Sequence, residues 1–172
     1  GVFIHEKYLD DPDIPRFEGW WGSRKETRFL MQPTFDPIPS ADAWQLSNAP
    51  VLALAPYLAS LELFEEAGMP ALLKKRDLIT AYLEFILQEI DKEVDSTFEI
   101  ITPSDARGCQ LSVFLHGEGR PLFDYLMTNG VITDWREPNV IRLAPAPFYC
   151  SSTDMYRFGQ ILKKGILEKA AS

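Results

Sequence analysis

Cysteine and histidine are scarce in this chain: two of each among 172 residues, Cys109, Cys150, His5 and His116. Two cysteines are too few for a disulfide framework, and they read as reduced thiols of a cytoplasmic protein. A cysteine nucleophile or redox switch would need a partner base, for which only the two histidines are present. His5 and Glu6 are adjacent, but no H-E-x-x-H follows and no cysteine is near, so no metal site is expected. Positive charge is also short. With 17 Lys and Arg against 25 Asp and Glu, the net charge is −8, which argues against nucleic acid or an anionic membrane surface as partner. No apolar run reaches membrane-spanning length and no signal peptide is recognisable. G-x-S-x-G, a Walker loop and G-x-G-x-x-G are all missing, as are internal repeats.

What is present supports a folded core, since 46% of residues are apolar and disorder needs far fewer. Val2, Phe3 and Ile4 read as a strand already under way, which suggests a chain cut from something longer. From Asp10 to Pro50 six prolines (12, 15, 33, 37, 39 and 50) alternate with large aromatics. Proline fixes φ and removes a donor, so this leader is expected as loops and short strands. Trp20, Trp21, Phe29, Phe35 and Trp44 within it need burial, an interface or a ligand wall.

The pattern changes near residue 48. Asn48 can cap a helix with Pro50 in its first turn; it would run to Ala67 with Leu54, Leu58, Leu61 and Phe64 on one side. Gly68 stops it and Pro70 opens the next, whose stripe is Leu72, Ile79, Leu83, Ile86 and Ile90 over Ala71 to Ile90. After Ser96 the period shortens. Strands are predicted at Phe98–Thr102, Gln110–His116, Val131–Trp135 and Val140–Leu143, with a short helix at Pro121–Asn129 stopped by Gly130. Ser151 and Asp154 form a capping pair ahead of a last helix, whose stripe is Met155, Phe158, Leu162 and Ile166. The predicted fold class is α+β, a small and mostly antiparallel sheet with helices packed on one face.

Few side chains suggest chemistry. Gly117-Glu118-Gly119 reads as a turn, and Glu62, Glu65 and Glu66 as a solvated helix end. Arg142 stands in an otherwise apolar strand, Val140-Ile141-Arg142-Leu143-Ala144-Pro145. It is either an arginine on the exposed strand face or a planar fork gripping a carboxylate. Trp20 is either a core aromatic or an indole N–H offered to an anion. Asn48 is either a plain cap or a cap that also serves a ligand, as helix N-termini do for phosphates.

Several segments, in order, resemble those of kynureninases: Phe3-Ile4-His5-Glu6-Lys7, Gly19-Trp20-Trp21-Gly22, Thr27-Arg28-Phe29 and Trp44-Gln45-Leu46-Ser47-Asn48-Ala49-Pro50. Ile101-Thr102-Pro103, Arg107-Gly108-Cys109-Gln110-Leu111 and Ile141 to Tyr149 continue the series, so the resemblance covers nearly the whole chain. It implies the aspartate-aminotransferase type of pyridoxal-phosphate (PLP) fold. Residues 1–48 would be the C-terminal tail of the large PLP-binding domain, and 49–172 the small C-terminal domain.

The resemblance implies a homodimer that hydrolyses L-kynurenine or 3-hydroxykynurenine to L-alanine and anthranilate or 3-hydroxyanthranilate, in tryptophan catabolism and NAD biosynthesis. It gives Trp20 and Asn48 contacts to PLP across the subunit interface, and Arg142 the substrate α-carboxylate. Ser47 and Asn48 would lie near the substrate's aromatic ring. Trp21 receives no role, and Ser23 stands where some kynureninases have His. The lysine that carries PLP is expected before the segment matching Gly1, so Lys7 is not that lysine, and these 172 residues alone are expected to be inactive. Two other readings are a related PLP aminotransferase or cysteine desulfurase, and a standalone small-molecule-binding domain. Neither Cys109 nor Cys150 has the mobile-loop setting that a desulfurase needs.

Overall fold

The computed structural model describes residues 1–9, 11–94 and 97–170, without the side chains of 169 and 170. Asp10 and Ser96, which open the proline-rich leader and the strand region in the sequence, lie outside the described residues. The chain divides into two compact units, Gly1–Glu62 and Leu63–Ser172. The division falls inside a helix, some way beyond the compositional change near residue 48.

In the first unit the prolines do what the sequence suggests. The leader holds four short 3-10 turns, at Glu6–Tyr8, Trp20–Gly22, Arg28–Leu30 and Ala41–Trp44, and one isolated bridge between Ser23 and Pro37. Val2–Ile4 are not a strand; a strand needs a partner for its ladder, and no described residue pairs with this segment. The leader's aromatics are not its core either. Among its described residues the buried ones are Gly19, Gly22 and Ala43, so the closest packing here is backbone on backbone, with half-exposed aromatics around it.

Helix α1 spans Val51–Ala67 with Pro56 inside it. Its first bonds run from the Ala53 and Leu54 amides to the Pro50 carbonyl. The cap position therefore falls on Pro50, and Asn48 lies two residues ahead of it rather than serving as the cap. α1 buries none of its residues, although the Leu54, Leu58, Leu61 and Phe64 stripe is present in the sequence.

The second unit is α+β. α2 (Met69–Glu93) follows Gly68, whose φ of 74° suits glycine, and takes Pro70 in its first turn; proline is tolerated there because the N–H it lacks has no helical partner. A four-stranded antiparallel sheet follows: β1 (Phe98–Ile100), β2 (Leu111–Leu115), β3 (Asp134–Arg136) and β4 (Val140–Leu143), in the order β1-β2-β4-β3. α3 (Arg120–Thr128) lies between β2 and β3, and α4 (Ser152–Ala170) ends the described chain.

Alternation makes one sheet face apolar. Phe98, Leu111, Val113, Leu115, Ile141 and Leu143 join Leu83, Leu87 and Ile90 of α2, Leu122, Phe123 and Leu126 of α3, and the whole predicted stripe of α4 in a single core. β1 is shorter than predicted because the Thr102 hydroxyl, not a backbone carbonyl, takes the Ser112 amide at 2.7 Å. β3 begins later than predicted because Val131 turns back onto α3, its amide donating to the Leu126 carbonyl at 3.0 Å. Among the described residues no helix is long and apolar enough to cross a membrane.

Candidate functional site

Of the residues singled out in sequence, Trp20, Ser47 and Asn48 lie in the first unit and Arg142 in the second. The first three come from two segments that the fold brings together. A Cβ on Gly19 would lie 2.2 Å from the Leu46 Cα, and one on Gly22 would lie 2.5 Å from the Ala43 carbonyl oxygen. The Gly19-Trp20-Trp21-Gly22 turn thus rests on the backbone of residues 43–46, immediately before Ser47 and Asn48. Only glycines permit that approach.

Arg28 fixes the turn from the other side. Its Nη2 donates to the carbonyls of Trp21 and Ser23, at 3.0 and 2.9 Å, and its guanidinium lies 4.7 Å from the centre of the Trp21 ring. Asp36 holds the next turn, accepting from Arg24 Nε at 3.0 Å and from the Thr27 hydroxyl at 2.8 Å. Trp20 is 44% exposed and meets Phe29 edge to face at 5.4 Å. Its indole lines an open cavity of about 310 Å³ together with Ser23, Thr27 and Arg28. Ser47 and Asn48 are exposed. The sequence signal for Gly19 and Gly22 was their spacing around the two tryptophans; nothing in sequence marked Arg28 as their clamp.

Arg142 sits on β4, where Ile141 and Leu143 are buried in the core and Arg142 is turned to the sheet's other face. Arg142 therefore lies on the open face, as one of its two readings has it, and its fork is held by a carboxylate of the chain itself. That carboxylate is Asp134, directly opposite on β3. Nε donates to Asp134 Oδ2 at 2.6 Å, and Nη2 donates to the same oxygen. Arg136 Nη2 reaches that oxygen too, at 3.1 Å. Two guanidinium groups thus share one carboxylate, and Arg142 keeps about a third of its side chain exposed (32%). Sequence reasoning missed Asp134, although the register of a tight hairpin through Pro138 and Asn139 would have set it against Arg142.

Other candidates resolve into local structure. His5 caps its 3-10 turn, Nδ1 accepting from the Lys7 amide at 3.2 Å. Cys109 and Cys150 are free and half-buried. Arg107, from the Arg107-Gly108-Cys109 segment, pairs with Glu84 of α2 and ties the β1–β2 loop to that helix. The hydrogen bond to Glu84 raises the Arg107 pKa, burial opposes the rise, and the carboxylate's charge adds to it. No group of three or more His, Cys, Asp or Glu able to hold a metal occurs among the described residues.

A family model described as the kynureninase C-terminal domain matches residues 74–162. The kynureninase of Christiangramia forsetii is 75% identical over 171 residues, covering 98% of this chain and 40% of that protein. The Flavobacterium johnsoniae kynureninase is 73% identical over the same length, with the same coverage. The Myxococcus xanthus kynureninase is 50% identical over 165 residues, 95% of this chain and 38% of that protein. The chain spans about 40% of the length of the curated relatives it matches.

Proposed function

Because this chain belongs to the kynureninase family, we propose that it is the C-terminal part of an enzyme that hydrolyses L-kynurenine or 3-hydroxykynurenine to L-alanine and the corresponding anthranilate. The full protein is then a PLP-dependent homodimer of tryptophan catabolism and NAD biosynthesis, acting in the cytoplasm on a small molecule. Residues 1–48 form the tail of its large domain and 49–172 its small domain. The observation that carries the reading is the high identity to kynureninases along nearly the whole chain.

The cavity that Trp20 shares with Ser23, Thr27 and Arg28 is also lined by the carboxylates of Glu18 and Asp36. The Thr27 hydroxyl already donates to Asp36, so a phosphate-bearing cofactor would draw on the Ser23 hydroxyl and the buried, unpartnered Arg28 Nε. Trp20 and Asn48 would contact PLP, reaching into the active site of the partner subunit, while the lysine that carries it belongs to the length this chain does not span. Bound PLP supplies an electron sink at the amino-acid end of the substrate.

The chain's own residues then bind and orient. Arg142 takes the substrate α-carboxylate, fixing the amino-acid end so that water meets the γ-carbonyl and the Cβ–Cγ bond is the one that breaks. Ser47 and Asn48 lie near the substrate ring and bear on tolerance of its 3-hydroxyl. None of these side chains needs to move a proton; their work is positioning.

The test uses the full-length enzyme and its Arg142→Ala variant, with PLP followed by absorbance and cleavage by product fluorescence. The parent is expected to take up PLP and cleave kynurenine. The variant is expected to keep PLP and lose about 100-fold in kcat/KM, the worth of a well-made charge-assisted pair. A parent without PLP or kynurenine cleavage overturns the assignment, and a variant as active as the parent overturns the role of Arg142.

A further inference from the structure

Arg142 is not an idle fork awaiting a ligand: one of its edges is already taken. We propose that Asp134 is a positioning residue for substrate binding, holding Arg142 by its Nε–Nη2 edge and leaving the opposite edge presented to an incoming carboxylate. This rests on the carboxylate role of Arg142 proposed above.

The geometry divides the guanidinium's work. Arginine carries five N–H donors in one plane, enough for two carboxylates approached from different edges. Nε–H and one Nη2–H converge on Asp134 Oδ2. Nη1–H and the second Nη2–H remain on the far edge, as the parallel pair that matches both oxygens of a carboxylate. An arginine without such a partner samples many rotamers, and ordering it on binding weakens affinity. Asp134 removes that cost beforehand.

Two features keep Asp134 from simply cancelling the charge it holds. Arg136 shares the same Oδ2 at 3.1 Å, so the trio of two guanidinium groups and one carboxylate stays cationic and still attracts an anion. The hairpin carrying Asp134 is also pinned. Asn139 at its turn accepts from the Gly119 amide at 3.1 Å and donates to the Gly117 carbonyl. The Asn139 carbonyl accepts from the Leu115 amide at 2.9 Å. Trp135, on the core side of β3, packs against Phe123 with ring centres 5.6 Å apart, which fixes Asp134 on the other side of the strand. The anchor is therefore built into the fold and not a chance surface pair.

The experiment compares the full-length enzyme with Asp134→Asn, Asp134→Glu and Arg142→Ala. KM and kcat are measured for L-kynurenine. Binding of kynuramine, the same molecule without its carboxylate, is measured by calorimetry. Asp134→Asn is expected to raise the KM for kynurenine about tenfold with kcat within about twofold, and to leave kynuramine binding unchanged. Asp134→Glu keeps the charge and is expected to restore part of the loss.

Asp134→Asn with an unchanged or lowered KM overturns the proposal, since the carboxylate would then be idle or a competitor. Equal weakening of kynurenine and kynuramine also overturns it, because a general structural defect would not discriminate by carboxylate. Should Arg142→Ala leave kynurenine cleavage intact, the carboxylate role of Arg142 fails and the proposal fails with it. That outcome is distinct from an impaired Arg142→Ala beside a normal Asp134→Asn, which sinks Asp134 alone.

Discussion

Single residues set the geometry of the candidate site, and two of them do so by having no side chain. Gly19 and Gly22 let the Trp20 turn lie on the backbone of residues 43–46, where any Cβ would collide with main-chain atoms that cannot move aside. Gly19→Ala is therefore expected to destabilise the full-length protein by about 1–3 kcal/mol, the usual range for forced overpacking. It should also lift Trp20 off residues 45–46. Thermal unfolding checks the first effect, and PLP affinity checks the second, which should fall in step. An Ala variant with unchanged stability and PLP affinity would mean that the two segments are not held together by this contact. At this scale the sequence named Trp20, Ser47, Asn48 and Arg142, each by its own chemistry or by resemblance. It did not name Arg28 or Asp134, because their significance is relational. An Arg that clamps a turn, and an Asp across a hairpin, look like ordinary surface residues until the partner's position is known.

Elements were more legible wherever local rules decide them. The last helix carries its predicted stripe into the core, and its start is the capping pair expected from Ser151 and Asp154. The Ser151 amide donates to Asp154 Oδ2 at 2.8 Å, and the Asp154 amide donates to the Ser151 hydroxyl at 3.3 Å. The hydrogen bonds from the Ser151 side chain and backbone hold the Asp154 carboxyl below its ordinary pKa. A depressed folded pKa means that its contribution is complete above the unfolded value, about 3.9, and is lost as pH falls through the folded one. Asp154→Asn is thus expected to lower the urea midpoint by the same amount between pH 7 and 5, with the gap closing below about pH 4. A gap that stays constant down to pH 3 would show that the charge of Asp154 plays no part in the cap. Elements set by longer-range partners were less legible. Val2–Ile4 has strand composition without a ladder, β1 and β3 were trimmed by Thr102 and by the return of Val131, and the stripe of α1 stays exposed except where Phe64 meets Phe148 edge to face at 4.7 Å.

At the scale of the whole molecule, the exposure of α1, which buries none of its residues, bears on what the chain packs against in the intact protein. α1 is apolar around most of its circumference, with Leu52 at 93% and Leu58 at 57% exposure, and helices of that kind are normally buried. The sequence shows that α1 is apolar but does not name the surface that covers it. The same substitution should therefore have opposite consequences in two settings. In the 172-residue span alone, Leu52→Lys with Leu58→Lys removes exposed apolar surface. It is expected to reduce self-association in sedimentation, and to reduce binding of a hydrophobic dye several-fold, because patches of this sort drive both. In the full-length protein the same pair of lysines is expected to meet a packed surface. It is expected to cost about 2–5 kcal/mol, since an unpaired ammonium is being buried, read as a fall in thermal midpoint and in PLP retention. If the double variant is harmless at full length, α1 stays exposed there too. The span's own tendency to associate would then reflect a surface that faces solvent in the intact protein.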